Sequence, residues 1–196
     1  MRARPFSSLA IAAAIAFSAY GCGATDSPAA PQQRSIEPAT PASRTLLGSP
    51  QTVTPLLRLT SLAAPITASK TIGILGGAIA IPSAGVTVVV PPFAVTSNTT
   101  ISVTAMAGSN VAYEFAPHGL NFNVPLVMTQ NLVGTQAQSG GLVNPLSLYV
   151  GYFPNSSSPN SVTELLSVGV NLLGQTAVTT LWHFSGYIYA SGRDDE

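Results

Sequence analysis

The residues best suited to chemistry lie together near the end of the chain, in Leu181-Trp182-His183-Phe184-Ser185-Gly186-Tyr187. Ser185 is a nucleophile type and His183 a base type, and a serine hydroxyl attacks a carbonyl only when a neighbouring base takes its proton. The chain holds two histidines, His118 and His183, so His183 is the natural base. The spacing resists that pairing. Residues 177–190 read as one strand, and on a regular strand Trp182, Phe184 and Ile188 share one face while His183, Ser185 and Tyr187 share the other. Side chains two residues apart on one face stand about 7 Å apart, beyond hydrogen-bond reach unless the strand kinks. Gly186 would permit such a kink. Core packing accounts for Trp182 and Phe184 without any chemistry, and a bond across the sheet accounts for His183. No acid is placed to orient His183, so a hydrolase acting on an external substrate is the weakest reading.

Other constellations carry less. Glu114 and His118 are four apart, but Pro117 removes the helix that would align them. Two His, one Cys and scattered acids do not make a metal centre, and no metal or other cofactor is expected. No Gly-rich phosphate loop precedes a helix. Tyr149, Tyr152, Phe153, Tyr187 and Tyr189 could form an aromatic surface for a glycan or a peptide, with core packing as the competing account. Asn98-Thr-Thr and Asn155-Ser-Ser match glycosylation acceptors and serve equally well as turn residues.

The elements that must position these residues are strands. Charged residues make up 7% of the 196 positions, against roughly 25% in an ordinary soluble domain. From Thr71 to Gly192 there is no Lys or Arg, and the acids are Glu114 and Glu164. Phosphate backbones require clustered cations, so a nucleic-acid partner is excluded. Ser, Thr, Asn and Gln must solvate the surface instead. Ile101, Val103 and Ala105 alternate with Ser102 and Thr104, the period of a half-buried strand. Similar runs recur at 85–90, 111–115, 124–130, 145–153 and 177–190. Turn signals such as Gly76-Gly77, Asn144-Pro145 and "PNSSSPNS" (154–161) separate them. Short strands with regular punctuation predict an all-β fold, an antiparallel β-sandwich over 70–192. One helical turn is expected at "SVTELLSV" (161–168). The strands are too irregular, and aromatic girdles too absent, for a transmembrane barrel.

The N-terminal third has another character. Arg2 and Arg4 precede a short apolar run, Leu9 to Ala19, in the layout of a secretory signal. Ala19-Tyr20-Gly21-Cys22 resembles the lipobox of bacterial lipoproteins, with the chain's one Cys in the lipidated position. That resemblance implies a signal peptide at 1–21 and cleavage before Cys22. The membrane would then be a partner through lipid on Cys22. It places the protein in the cell envelope outside the cytoplasm, at the outer membrane where the host has one. Gly23 follows the Cys where Asp would signal inner-membrane retention. Residues 22–69 are rich in Pro, Ala, Ser and Thr and read as a disordered tether. Within it, 54–66 is apolar enough to dock on the domain. Residues 193–196 read as a charged tail.

Two phrases of the domain resemble the ZU-five domain of zonula-occludens, netrin-receptor and ankyrin proteins. The first is "GGAIAIPSAGVTVVVPPFAV" (76–95). The second is "YEFAPHGLNFNVPLVMT" (113–129), where Pro117, Gly119, Phe122 and Pro125 match a Pro-x-Gly-x-x-Phe-x-x-Pro pattern. Read physically, Pro117 and Gly119 make a turn, Phe122 plugs the core, and Pro125 marks an edge or a strand start. The resemblance covers 72–192 and implies an antiparallel β-sandwich used for protein interaction. It also implies a reaction, because some such domains cut themselves between Phe and Ser of a His-Phe-Ser triplet. Ser185 Oγ would attack the Phe184 carbonyl in an N-to-O acyl shift, and water would hydrolyse the ester. A cut there releases twelve residues and no effector domain, which favours a non-catalytic module that binds a protein or glycan.

Overall fold

In the computed structural model of this chain, residues 44–193 are described. The signal peptide, Cys22, the first part of the expected tether and residues 194–196 lie outside the described residues. In chain order the strands are β1 (Arg44–Pro55), β2 (Leu57–Leu62), β3 (Ile66–Ile72), β4 (Gly77–Ile81), β5 (Val86–Val90), β6 (Thr99–Ala105) and β7 (Gly108–Asn110). They continue as β8 (Ala112–Ala116), β9 (Asn121–Asn131), β10 (Tyr149–Phe153), β11 (Ser161–Ser167), β12 (Gly169–Asn171), β13 (Thr176–His183) and β14 (Gly186–Arg193). The fold is all-β and antiparallel. One sheet runs β1-β11-β10-β14-β8-β6-β3, the second β12-β13-β9-β5-β4, and β2 pairs with β7. Among the described residues no helix is long and apolar enough to cross a membrane.

Period-2 alternation builds the main core. Ile101, Val103 and Ala105 of β6 are fully buried, with Tyr113 and Phe115 of β8 and Tyr187 and Tyr189 of β14 beside them. Ile79, Ile81, Val86, Val88, Val90, Leu126, Met128 and Leu181 of the second sheet belong to the same cluster. The outward residues of β3 and β6 pair through hydroxyls, Thr67 with Thr104 at 2.8 Å, Ser69 with Ser102 at 2.7 Å and Thr71 with Thr100 at 2.9 Å. These uncharged ladders help solvate a face on which charge is sparse, with Glu114 of β8 standing opposite Thr104, and such cross-strand pairs stabilise the sheet.

Residues 44–69 are not a tether. They form β1, β2 and the first part of β3. The early half of β1 pairs with β11 (Arg44 opposite Leu166) and the late half with β14 (Thr54 opposite Gly192). The pairing β1-β11-β10-β14 thereby returns to β1. This closure encloses a second core of Val53, Ala112, Phe153, Val162, Leu165, Ile188 and Ala190. Pro50 is accommodated because it falls in the register break between Leu46 and Gln51, where no ladder bond is forfeited. The closure also removes an edge that few charges were there to protect. The domain therefore takes in residues 44–69 as well as those from 70 onward, and its last strand takes in Arg193 of the expected tail. Residues 161–167, expected as a helical turn, form β11.

Candidate functional site

Residues 177–190 are two strands in different sheets. β13 belongs to the five-stranded sheet and β14 to the seven-stranded one, and Phe184-Ser185 is the two-residue link between them. The shared face predicted for His183 and Ser185 is lost with the regular strand. Beside this link runs a second crossover, residues 117–120, which carries the chain the other way from β8 to β9. The two are hydrogen-bonded. Phe184 N–H donates to Leu120 O at 2.9 Å, Gly119 N–H to Phe184 O at 3.1 Å, and Phe115 N–H to Ser185 O at 3.0 Å. The return at 117–120 is made by a cis Ala116–Pro117 bond and by Gly119 at φ +75°, a left-handed conformation that glycine adopts without steric cost.

The two motifs thus meet. Phe184 is buried, stacked on Phe115 at 5.1 Å and edge-on to Phe122 at 4.7 Å. It ties the sheets together as the expected core anchor, and Phe122 fills the core as expected. Trp182 does not. It is half-buried, because β13 turns Leu181 inward and Trp182 outward. Pro125 lies inside β9 rather than at its start. It is tolerated where the β9–β13 register shifts, between the pairs Leu126–Leu181 and Asn121–His183.

His183 and Ser185 face different partners. Ser185 is buried, and its hydroxyl donates to Phe153 O over a long 3.4 Å. His183 Nδ1 lies 3.2 Å from Tyr187 Oη, and Nε2 lies 3.5 Å from Glu164. The Tyr187 hydroxyl also donates to His183 O at 2.7 Å. Burial raises the Tyr187 phenol far above its ordinary range, and the Glu164 charge adds to the rise. It therefore stays a protonated donor. The expectation that no acid accompanies His183 is corrected, since the Glu164 carboxylate lies beside it. Arg44 Nε binds the same carboxylate at 2.8 Å. Glu164, Tyr152, Tyr187 and Tyr113 stand opposite one another on four successive strands, and this row brings Glu164 to the link. Tyr152 packs edge-on to the His183 ring at 5.0 Å. An acid–imidazole pair is present, but its outer partner is a tyrosine hydroxyl and not the serine.

The five aromatics proposed as a surface are mostly interior. Phe153, Tyr187 and Tyr189 are buried, and Tyr149 and Tyr152 half-buried. Glu114 is half-buried on β8 and His118 exposed in the turn. Among the described residues no three His, Cys, Asp or Glu gather.

Two features escaped the sequence reading. One is an apolar knob. Pro91-Pro92-Phe93-Ala94 closes a turn, with Ala94 N–H on Pro91 O at 3.2 Å, and Phe93 N–H donates to Ile74 O at 2.8 Å. The two adjoining turns expose Ile74 (49%), Leu75 (84%) and Phe93 (64%). Phe93 has φ +65°, which a bulky residue rarely adopts. The Pro-Pro dipeptide gave no sign that the residue after it is left-handed. The other feature is a buried cation, Arg58. Its isolation inside "LLRL" was the available signal.

No protein-family model matches the chain, and no curated protein matches it.

Proposed function

We propose that this protein is a non-catalytic cell-envelope lipoprotein, held to a membrane by lipid on Cys22, that presents one ZU-five-like β-sandwich for interaction with another protein. The observation that carries the interaction reading is Phe93, an exposed aromatic in a left-handed turn that is hydrogen-bonded to the turn bearing exposed Ile74 and Leu75. A bulky residue there costs roughly 1–2 kcal/mol. At 64% exposure the side chain buries little apolar surface within the fold, whereas an aromatic at the centre of a contact gains much. The engagement of Ser185 with Phe153 O and of His183 with Glu164 and Tyr187 supports the absence of catalysis. A photo-crosslinking residue at position 93 tests the reading in intact cells. Adducts of discrete mass at 93, absent from the exposed control position 156, support it. Equal or no adducts at both positions oppose it.

Self-cleavage at Phe184–Ser185 is the second reading, favoured by one contact. Gly119 N–H already binds the Phe184 carbonyl oxygen, where negative charge would develop during attack. Intact mass of the purified protein decides between the two. The first reading expects one uncut mass, the same in Ser185→Ala. A fragment that this substitution abolishes establishes cleavage.

A further inference from the structure

Arg58 is 7% exposed, and a guanidinium does not shed its proton at any ordinary pH. A buried charge of this kind requires a partner of opposite sign. Among the described residues it forms no ion pair. Glu164 is engaged with Arg44 and His183, and no contact joins Arg58 to Glu114, the other described acid. Its neutral neighbours are Asn110 O, which accepts from Nη1, and Tyr113, whose ring centroid lies 5.5 Å from the guanidinium carbon. Tyr113 supplies no formal charge, since burial pushes its phenol up to about 12 even though the Arg58 charge and a hydrogen-bonding approach of Arg58 to the Tyr113 hydroxyl pull the other way. The remaining edge, Nε and Nη2, has no hydrogen-bond acceptor. Those two nitrogens form the parallel fork that binds a carboxylate through both oxygens.

Arg58 lines a cleft of about 230 Å³ together with Thr60, Ser83, Gln130, Asn131 and Thr135. The cleft lies between β2, the turn that precedes β5, and the end of β9. Its wall is held by hydrogen bonds. Gln130 Nε2 donates to Ala84 O at 3.2 Å and to Asn131 O at 2.8 Å, and Tyr113 Oη contacts both Ala84 O and Gln130 Oε1. The fork itself is shut off from bulk water. Thr60 and Val133, both exposed, line the same cleft, and a carboxylate that pairs with the fork must enter between such side chains.

We infer that the Arg58 cleft is a binding site for a carboxylate, which pairs with the free edge of the guanidinium. A small organic acid and the carboxy-terminus of a peptide carry the same group, and the test separates them. The Arg58 Nε–H resonance of the full-length protein is followed by NMR during titration with sodium acetate. It is then followed with a short neutral peptide bearing a free carboxy-terminus and with the amidated form of that peptide, chloride holding the ionic strength constant. The Arg58 signal is expected to shift saturably with acetate or with the free-carboxylate peptide, and not with the amide. A response to acetate alone assigns the site to small acids, and a stronger response to the peptide assigns it to chain ends. Thermal unfolding gives a second readout. At a tenfold excess of ligand over Kd the midpoint rises by on the order of 3–6 °C, and in Arg58→Lys, which keeps the charge without the fork, this rise is lost. A silent Arg58 signal, an equal response to the amide, or an undiminished rise in Arg58→Lys overturns the inference.

Discussion

Gly186→Ala tests the account of the link most directly. A Cβ at this position would lie 1.9, 2.3 and 2.4 Å from three carbons of the Phe153 ring, where ordinary contact begins near 3.4 Å. The ring would have to retreat by about 1.5 Å. It has nowhere to go, since Phe153 is 1% exposed within the second core. Gly186 is not among the residues with positive φ, so the backbone tolerates alanine, which by itself would stabilise by about 0.4–1 kcal/mol. The sign is therefore decided by the ring alone. Overpacking of this kind costs about 1–3 kcal/mol, and an overlap this deep belongs at the upper end. For a domain of about 150 residues, 3 kcal/mol lowers the thermal midpoint by roughly 6–12 °C. The sole tryptophan, Trp182, lies four residues away and reports unfolding by fluorescence. Phe153→Leu, which removes the closest ring atoms, is expected to cost about 1–3 kcal/mol alone and to absorb the penalty of Gly186→Ala, so that the double variant is no less stable than Phe153→Leu. Strict additivity, or a neutral Gly186→Ala, would refute the close approach of β10 and β14.

Two further outcomes follow from the same structure. Burial raises Tyr113, Tyr187 and Tyr189 above the ordinary tyrosine range. The unfolded chain therefore loses their protons near pH 10 while the folded chain keeps them, and stability present below pH 10 is lost as pH rises. Denaturant titrations should find the protein less stable at pH 11 than at pH 8, by about 1.4 kcal/mol from Tyr113 with Tyr187 and Tyr189 acting in the same direction, and a pH-independent midpoint across that window would contradict the burial. Phe93→Gly relieves a left-handed bulky residue at a cost of about 0.5–1 kcal/mol in chain entropy. Its unfolding free energy should hold or rise by up to about 1 kcal/mol, and a loss larger than that would mean the Phe93 side chain supports the fold.

What was legible in the sequence depends on how many faces of a strand are covered. β6 is covered on one face, so Ile101, Val103 and Ala105 alternate cleanly with polar residues. β11 is covered on both, with Val162 and Leu165 in the second core and Leu166 in the main one. Alternation disappears there, and the three apolar residues fall at a helix-like spacing. β14 is doubly covered too, by Tyr187 and Tyr189 on one side and Ile188 and Ala190 on the other. Its continuous apolar run hid the change of sheet at Phe184-Ser185. β1 was missed for the opposite reason. Val53 is its single buried residue, and Gly48 and Pro50 sit where the ladder breaks. The turn chemistry of Pro117 and Gly119 was readable in advance. That Glu164 would stand beside His183 was not, because a row of pairings across four strands connects them and no local spacing records it.

The return of β1 onto both β11 and β14 has a consequence for the order in which the molecule can assemble. Arg44 waits for Leu166 and Val53 for Arg193, so neither half of the first strand has its ladder until the last two long pairing partners have been synthesised. Loop closures of this span are entropically slow. The main sandwich can condense from local neighbours such as β4 and β5, but the second core is sealed only at the finish. Along the polypeptide, β1 is made before every other described strand and is among the last that can be put in place.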